Sequence, residues 1–183
     1  MRGRAATALA VLVAAFAFVA AGCGGSDESS TVSPTDQWAT NFCTAVTTWK
    51  DSLQSTADEF KNPSSLDSSA VKDAVDSVSS ATQTFVDDVK GLGAPDTESG
   101  EQVKSSVQSL SDTLETEKTN IEDAADNASG LTGLASAITS IGKSLTAMGT
   151  ALSSTLETID GADAGQELQT AFQNSDACSS LTS

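Results

Sequence analysis

Apolar side chains recur at alternating intervals of three and four in four successive stretches of this 183-residue chain, and no stretch reads as a strand. A period near 3.6 residues lays such positions along one side of an α-helix, and a stripe of that kind must be covered by other helices. The expected fold is therefore all-α: an antiparallel up-down-up-down four-helix bundle with a short C-terminal helix.

The stretches are separated by local stop and start signals. Pro34 and Thr35-Asp36 open the first, whose seam is Trp38, Phe42, Ala45 or Val46, Trp49, Leu53, Ala57 and Phe60. Asn62-Pro63 ends it, since proline lacks an amide proton and disfavours helical geometry in the residue before it. Serines and Asp67 cap the second, which repeats through Val71, Val75, Val78, Thr82, Phe85, Val89 and Leu92 and stops at Gly91-Leu92-Gly93-Ala94-Pro95. Asp96 or Thr97 is the expected cap of the third, with a seam of Val103, Val107, Leu110, Leu114, Ile121, Ala125 and Ala128 that ends at Asn127 to Gly130.

The fourth stretch is the most regular: Leu131, Leu134, Ile138, Ile141, Leu145, Met148, Leu152, Thr155 or Leu156, and Ile159. Its alternation of three and four is the pattern of a supercoiled bundle. Beside it runs a smaller stripe of Ala135, Gly142 and Gly149 at intervals of seven. Each glycine costs roughly 1 kcal/mol of helix stability relative to alanine, so the stripe points to close approach by a neighbouring helix or by rings such as Trp38, Trp49 or Phe85. The sharper reading is a ligand groove along Gly142 and Gly149, with Glu117, which interrupts the third seam, as a carboxylate for a cation. The plainer reading of Glu117 is a snorkelling side chain beside Lys118. Gly161 and Gly165 bracket a break, and a short helix through Leu168, Ala171 and Phe172 leads to Cys178.

Ahead of the helices, Arg2 and Arg4 precede an apolar run from Ala5 to Ala21 broken only by Thr7, the layout of an export signal. Val19-Ala20-Ala21-Gly22-Cys23 resembles the bacterial lipobox, which implies cleavage before Cys23 and acylation of its thiol. Residues 1–22 are then the lipoprotein signal peptide, residues 23–34 the lipidated cysteine with a Gly/Ser-rich flexible tether, and residues 35–183 the helical domain. The alternatives are a retained membrane anchor, because the run approaches the length needed to span, and plain secretion. Cleavage removes both arginines and no acidic residue, leaving 7 lysines against 25 acidic residues and a net charge of −18. Such a surface repels phosphate backbones and anionic headgroups, so no nucleic acid partner is expected and membrane contact runs through the anchor.

Helix parity gives the remaining cysteines a meaning. Four antiparallel passes return the chain to its starting end, which places Cys43 and Cys178 together in an oxidising compartment, and the expected disulfide is Cys43–Cys178, with two unpaired buried thiols as the alternative. The same parity places the anchor, the disulfide and the loop from Gly91 to Gly100 at the membrane-proximal end. The turns at Lys61 to Asp67 and Asn127 to Gly133 then point outward.

Trp38-Ala39-Thr40-Asn41-Phe42-Cys43, Thr48-Trp49, Leu92-Gly93-Ala94-Pro95-Asp96-Thr97 and Asp176-Ala177-Cys178-Ser179-Ser180-Leu181 resemble the pattern of uncharacterised actinobacterial lipoproteins and small secreted helical proteins. The resemblance implies an exported location, the disulfide and the helical fold, and implies no activity. The chain has no histidine to activate its many serines, and its acidic clusters, Asp87-Asp88, Glu122-Asp123-Asp126 and Asp160 to Glu167, lack the alternating ligand pattern of a calcium loop. No cofactor, metal or enzymatic activity is expected. Two functions stand at this point: a non-catalytic helical interaction module anchored on the outer face of the cell membrane, with an envelope protein or polymer as partner, or a small-ligand or cation-binding domain using the groove.

Overall fold

Ser33 and Asp36 close the first helix end on each other. The Asp36 carboxylate accepts from the Ser33 hydroxyl at 2.8 Å and from its amide at 3.3 Å, and the Asp36 amide donates to Ser33 Oγ at 3.0 Å. This reciprocal cap, with Pro34 at the first helical position, satisfies amides that have no partner inside the helix. In the computed structural model, which describes residues 32–59, 67–161 and 165–179, it starts α1 (Pro34–Glu59). The helices α2 (Ser68–Leu92), α3 (Gly100–Asp126), α4 (Gly130–Gly161), α5 (Gly165–Asn174) and α6 (Asp176–Ser179) follow. Every regular element among the described residues is a helix, and none is long and apolar enough to cross a membrane. The leader with Cys23, the tether to Thr31, Phe60, the Asn62-Pro63 break and the side chain of Leu131 lie outside the described residues.

Caps and breaks fall mostly where the sequence puts them. Asp67 accepts from the amides of Ser69 and Ala70, both at 2.9 Å, and Gly93 ends α2 at φ 67°. Gly130 stands at φ 66° between α3 and α4, a backbone angle that glycine adopts without strain. The third helix begins later than expected. Residues 95–97 instead form a turn, with the Thr97 amide donating to the Pro95 carbonyl and the Gly100 amide to the Thr97 carbonyl, and α3 starts at Gly100. A Cβ at residue 100 would overlap the Pro95 carbonyl oxygen, so glycine is required by close backbone approach.

Long-range bonds give the helices their directions. Trp38 Nε1 at the start of α1 donates to the Gly93 carbonyl at the end of α2, and Trp49 Nε1 further along α1 donates to Thr82 Oγ1. Descending pairs of this kind mean opposite senses. For α2 and α3 the pairs are Ser68 with the Ala128 carbonyl, Lys72 with Asp126, Lys118 with Gln83 and Lys90 with Glu115. The close neighbours are α1 with α2, α2 with α3, α3 with α4, and α1 with α5 and α6.

The expected seams of α2 and α3 form the core with Trp38, Phe42, Val46 and Trp49 of α1. Burying a side chain the size of Phe42, Phe85 or Leu110 contributes roughly 1.5–3 kcal/mol each. Trp49 stacks on Phe85 at 5.0 Å and Trp38 on Phe42 at 5.3 Å, while Phe172 of α5 meets Trp38 and Phe42 edge-on at 6.2 Å. These rings seat α5 on α1. Cys43 and Cys178, both buried, are joined in a disulfide with a Cα separation of 5.0 Å.

The fourth helix keeps most of its expected seam and adds a line of small residues. Met148, Thr155 and Ile159 are buried together with Ala137 and Ser144, Leu134, Ile141, Leu145, Leu152 and Leu156 are partly buried and packed against the core, and Ile138 alone of the described seam is exposed, at 43%. The only close neighbour of α4 among the described residues is α3. Small side chains at Ala137 and Ser144 suit close approach to α3, so the helix turns that line inward and Ile138 is left at the surface.

Candidate functional site

Gly142, Gly149 and Glu117, expected to share one groove, lie on different surfaces. A groove of about 580 Å³ runs between α3 and α4 and is lined by Glu117, Asn120, Asp123, Ser136, Ser140 and Lys143 among others. Glu117 is half-buried there, and its carboxylate accepts from Asn120 Nδ2 at 3.1 Å. Half of the lining residues are exposed and its walls are shared about equally by polar and apolar groups, so the groove is a channel open to solvent. Neither glycine takes part. At 100° per residue, Gly142 and Gly149 project about 100–180° around α4 from Ser136, Ser140 and Lys143.

The glycines also fail as a packing stripe. A Cβ built on either meets nothing within 4 Å, and Ala135, Gly142 and Gly149 are all exposed. The rings expected to fill that space are engaged in the core instead, Trp38 with Phe42 and Phe172, and Trp49 with Phe85. Among the described residues no group of three or more cysteine, aspartate or glutamate side chains could hold a metal ion.

Hydroxyl groups are numerous, and many are held by the helices themselves. Thr139 donates to the Ala135 carbonyl, Thr146 to Gly142, Thr150 to Thr146 and Thr158 to Ser154, at 2.8–2.9 Å. On α1 and α2, Ser52, Thr56 and Ser77 donate to carbonyls four residues earlier in the same way. A hydroxyl proton held by a carbonyl has no base to take it, so these groups are not arranged as nucleophiles.

What sequence reasoning missed is that Ile138 stays at the surface. Ile138, Gly142, Leu145, Gly149, Leu152 and Leu156 fall within a sector of about 80° on one flank of α4, where the leucines pack against the core while Ile138 and the two glycines are exposed. Between Leu131 and Leu156 the only charged residue is Lys143, outside that sector. The signal was present in the sequence: α4 carries two parallel lines, one of large side chains and one of Ala137, Ser144 and Ala151 at intervals of seven, and most of its other positions before Glu157 are hydroxyls. One helix neighbour can cover only one line fully.

At the other end of α1, the disulfide, the Trp38–Phe42–Phe172 cluster and the Thr35 hydroxyl bonded to the Asp96 carbonyl bind α1 to α2, α5 and α6. Thr40 Oγ1 donates to Ser175 Oγ just before α6. This end is crosslinked and filled. Comparison with protein families, with characterised proteins and with solved structures finds no significant match to the chain.

Proposed function

We propose that the chain is an extracytoplasmic lipoprotein, held on the outer face of the cell membrane through acylated Cys23. Its helical domain is an antiparallel up-down-up-down four-helix bundle that works as a non-catalytic interaction module toward an envelope protein or polymer. The observation that carries this reading is the flank of α4 on which Ile138 is 43% exposed beside the exposed Gly142 and Gly149, with no charged side chain on that flank from Leu134 to Leu156. The Cys43–Cys178 disulfide supports an oxidising compartment, and the leader ending at Val19-Ala20-Ala21-Gly22-Cys23 supports export with lipidation.

The test uses the full-length protein in its own cells. Feeding an alkyne fatty acid labels the parent and leaves Cys23→Ala unlabelled if the anchor is as proposed. A photo-crosslinking side chain at position 138 then gives a discrete adduct, while the same group at Asp73, exposed on α2, does not. Equal labelling of both proteins, or equal crosslinking from both positions, overturns the reading.

A further inference from the structure

We infer that the channel between α3 and α4 is a carbohydrate-binding groove that takes an uncharged polyhydroxylated chain, an oligosaccharide lying along the two helices. The inference goes beyond the proposed function, because this side of α4 lies away from Ile138 and its test needs neither acylation of Cys23 nor a crosslink at position 138.

A buried hydroxyl is the first argument. Ser144 is 5% exposed, lines the groove, and its Oγ makes no hydrogen bond among the described residues. A hydroxyl taken out of bulk water without a partner is costly, so one that opens into a channel is placed for a ligand's polar group. Ser136 and Ser140 continue its row at intervals of four, about 6 Å apart along the helix, and their hydroxyls too make no bond among the described residues. The neighbouring threonines differ: Thr139, Thr146 and Thr150 donate to carbonyls four residues earlier. The serine row is therefore unspent where the threonines beside it are not.

The α3 wall is the complement of that row. Asn120 spends its Nδ2 on Glu117, and Asn127 spends its Nδ2 on the Asp123 carbonyl, which leaves both Oδ1 atoms as acceptors beside the two carboxylates. Acceptors on α3 thus accompany the hydroxyls and the Lys143 ammonium on α4. A sugar hydroxyl donates to the first wall and accepts from the second, and every hydroxyl of the ligand repeats that demand. A cationic ligand would meet Lys143, and an anionic one would meet Glu117, Asp123 and the field of a chain with 25 acidic residues against 9 basic ones.

Shape agrees with the chemistry. The rim is polar and exposed, whereas the enclosed part is built from small residues: Ala137 is buried, and Gly133, Ala124 and Ala147 are partly so. A sugar ring carries apolar C–H faces and hydroxyls at its edge, so it rests on such a floor with its edge toward the walls. From Gly133 to Ala147 the groove is about 21 Å long at 1.5 Å per residue, the length of an oligosaccharide instead of a single ring. A volume of about 580 Å³ falls within the range of small-ligand sites. Because the channel is open to solvent, each site binds weakly, with a dissociation constant of about 0.1–1 mM, and copies held on one surface gain from the repeats of a polymer.

The experiment uses the full-length protein in phosphatidylcholine nanodiscs and saturation-transfer NMR. The probes are maltohexaose, cellohexaose and mannohexaose, each up to about 10 mM, ten times the weaker expected constant. At least one of them receives saturation from the protein and titrates in that range; silence from all three overturns the inference. Hexagalacturonate and spermidine are the acidic and cationic counterparts, and tighter binding of either than of the best neutral probe is equally fatal. Ser144→Ala weakens binding about two- to ten-fold, the loss of one hydrogen bond, with thermal stability unchanged. Position 140 is exposed, so Ser140→Leu leaves the fold intact while it blocks the channel, and binding falls at least ten-fold. Ser80→Leu, at an exposed position of α2, leaves binding as it was. Unchanged affinity in both groove variants means that the sugar sits elsewhere, and the inference fails. Fatty-acid labelling of Cys23 and crosslinking at position 138 are independent of these results, so either reading can fall alone.

Discussion

Replacing both disulfide cysteines, Cys43→Ala with Cys178→Ala, tests how the chain holds its own end. The two residues are 135 positions apart in sequence and buried in the core. Closing a loop of that length removes about 17 cal/mol/K of denatured-state entropy on the chain-entropy relation, or about 5 kcal/mol at 25 °C. Measured values commonly fall below that limit, so the expected loss is about 2–5 kcal/mol. For a domain whose total stability is of order 5–15 kcal/mol this is a large fraction. In urea, with a slope of about 1–3 kcal/mol per molar, the midpoint falls by about 1–3 M, and for a chain of this size the melting temperature falls by roughly 5–15 °C. Tryptophan fluorescence and circular dichroism should report the same transition, because Trp38 and Trp49 sit in the core that α5 and α6 help to close. A loss below about 1 kcal/mol with an unchanged slope would refute the reasoning, since it would mean that the bond restrains a tail that already opens independently of the rest.

Thr82→Val removes the buried acceptor of the Trp49 indole and leaves that N–H unpaired, an expected cost of about 1–3 kcal/mol measured by urea unfolding. Gly100→Ala drives a methyl into the Pro95 carbonyl and should destabilise by about 1–3 kcal/mol, whereas Gly142→Ala enters open space in a helix and should stabilise by up to about 1 kcal/mol; paired thermal melts decide both. The Ala70 amide, the Ser69 hydroxyl and the Ser69 amide hold the Asp67 carboxyl below its ordinary value of 3.8. Its contribution is therefore complete above pH 3.8 and is lost as pH falls through the lower folded value, so Asp67→Asn, which keeps an acceptor but cannot titrate, should flatten the acid limb of a stability–pH curve. Lys90 has the opposite sign: its bond to Glu115 raises it above 10.5, so its contribution is complete below that pH and disappears at higher alkalinity, and Lys90→Met should remove that alkaline loss.

Much of the fold was legible because its signals are local. Asp67 and the Ser33–Asp36 pair mark helix starts through side chains that reach amides two or three residues away, and Gly93 and Gly130 mark ends through a backbone angle that other residues resist. The α3 start was misplaced because Asp96 and Thr97, good caps in isolation, are used in a turn that the Pro95–Gly100 contact stabilises. The candidate groove was misread for a related reason. The repeat of Gly142 and Gly149 points to close approach by a neighbour and Glu117 to a carboxylate for it, but shared spacing along two helices says nothing about which sides of those helices meet.

The amino-acid sequence by itself determined the class of secondary structure, the ends of most helices, and the seams of α2 and α3. Each of these follows from a residue's own geometry or from one dominant apolar line. Only the tertiary structure decided how α4 is rotated and therefore that Ile138, Gly142 and Gly149 are exposed. That helix offers two adjacent lines, large and small, with the same period, and the choice between them depends on how closely α3 can approach, a distance set by packing and absent from any local pattern.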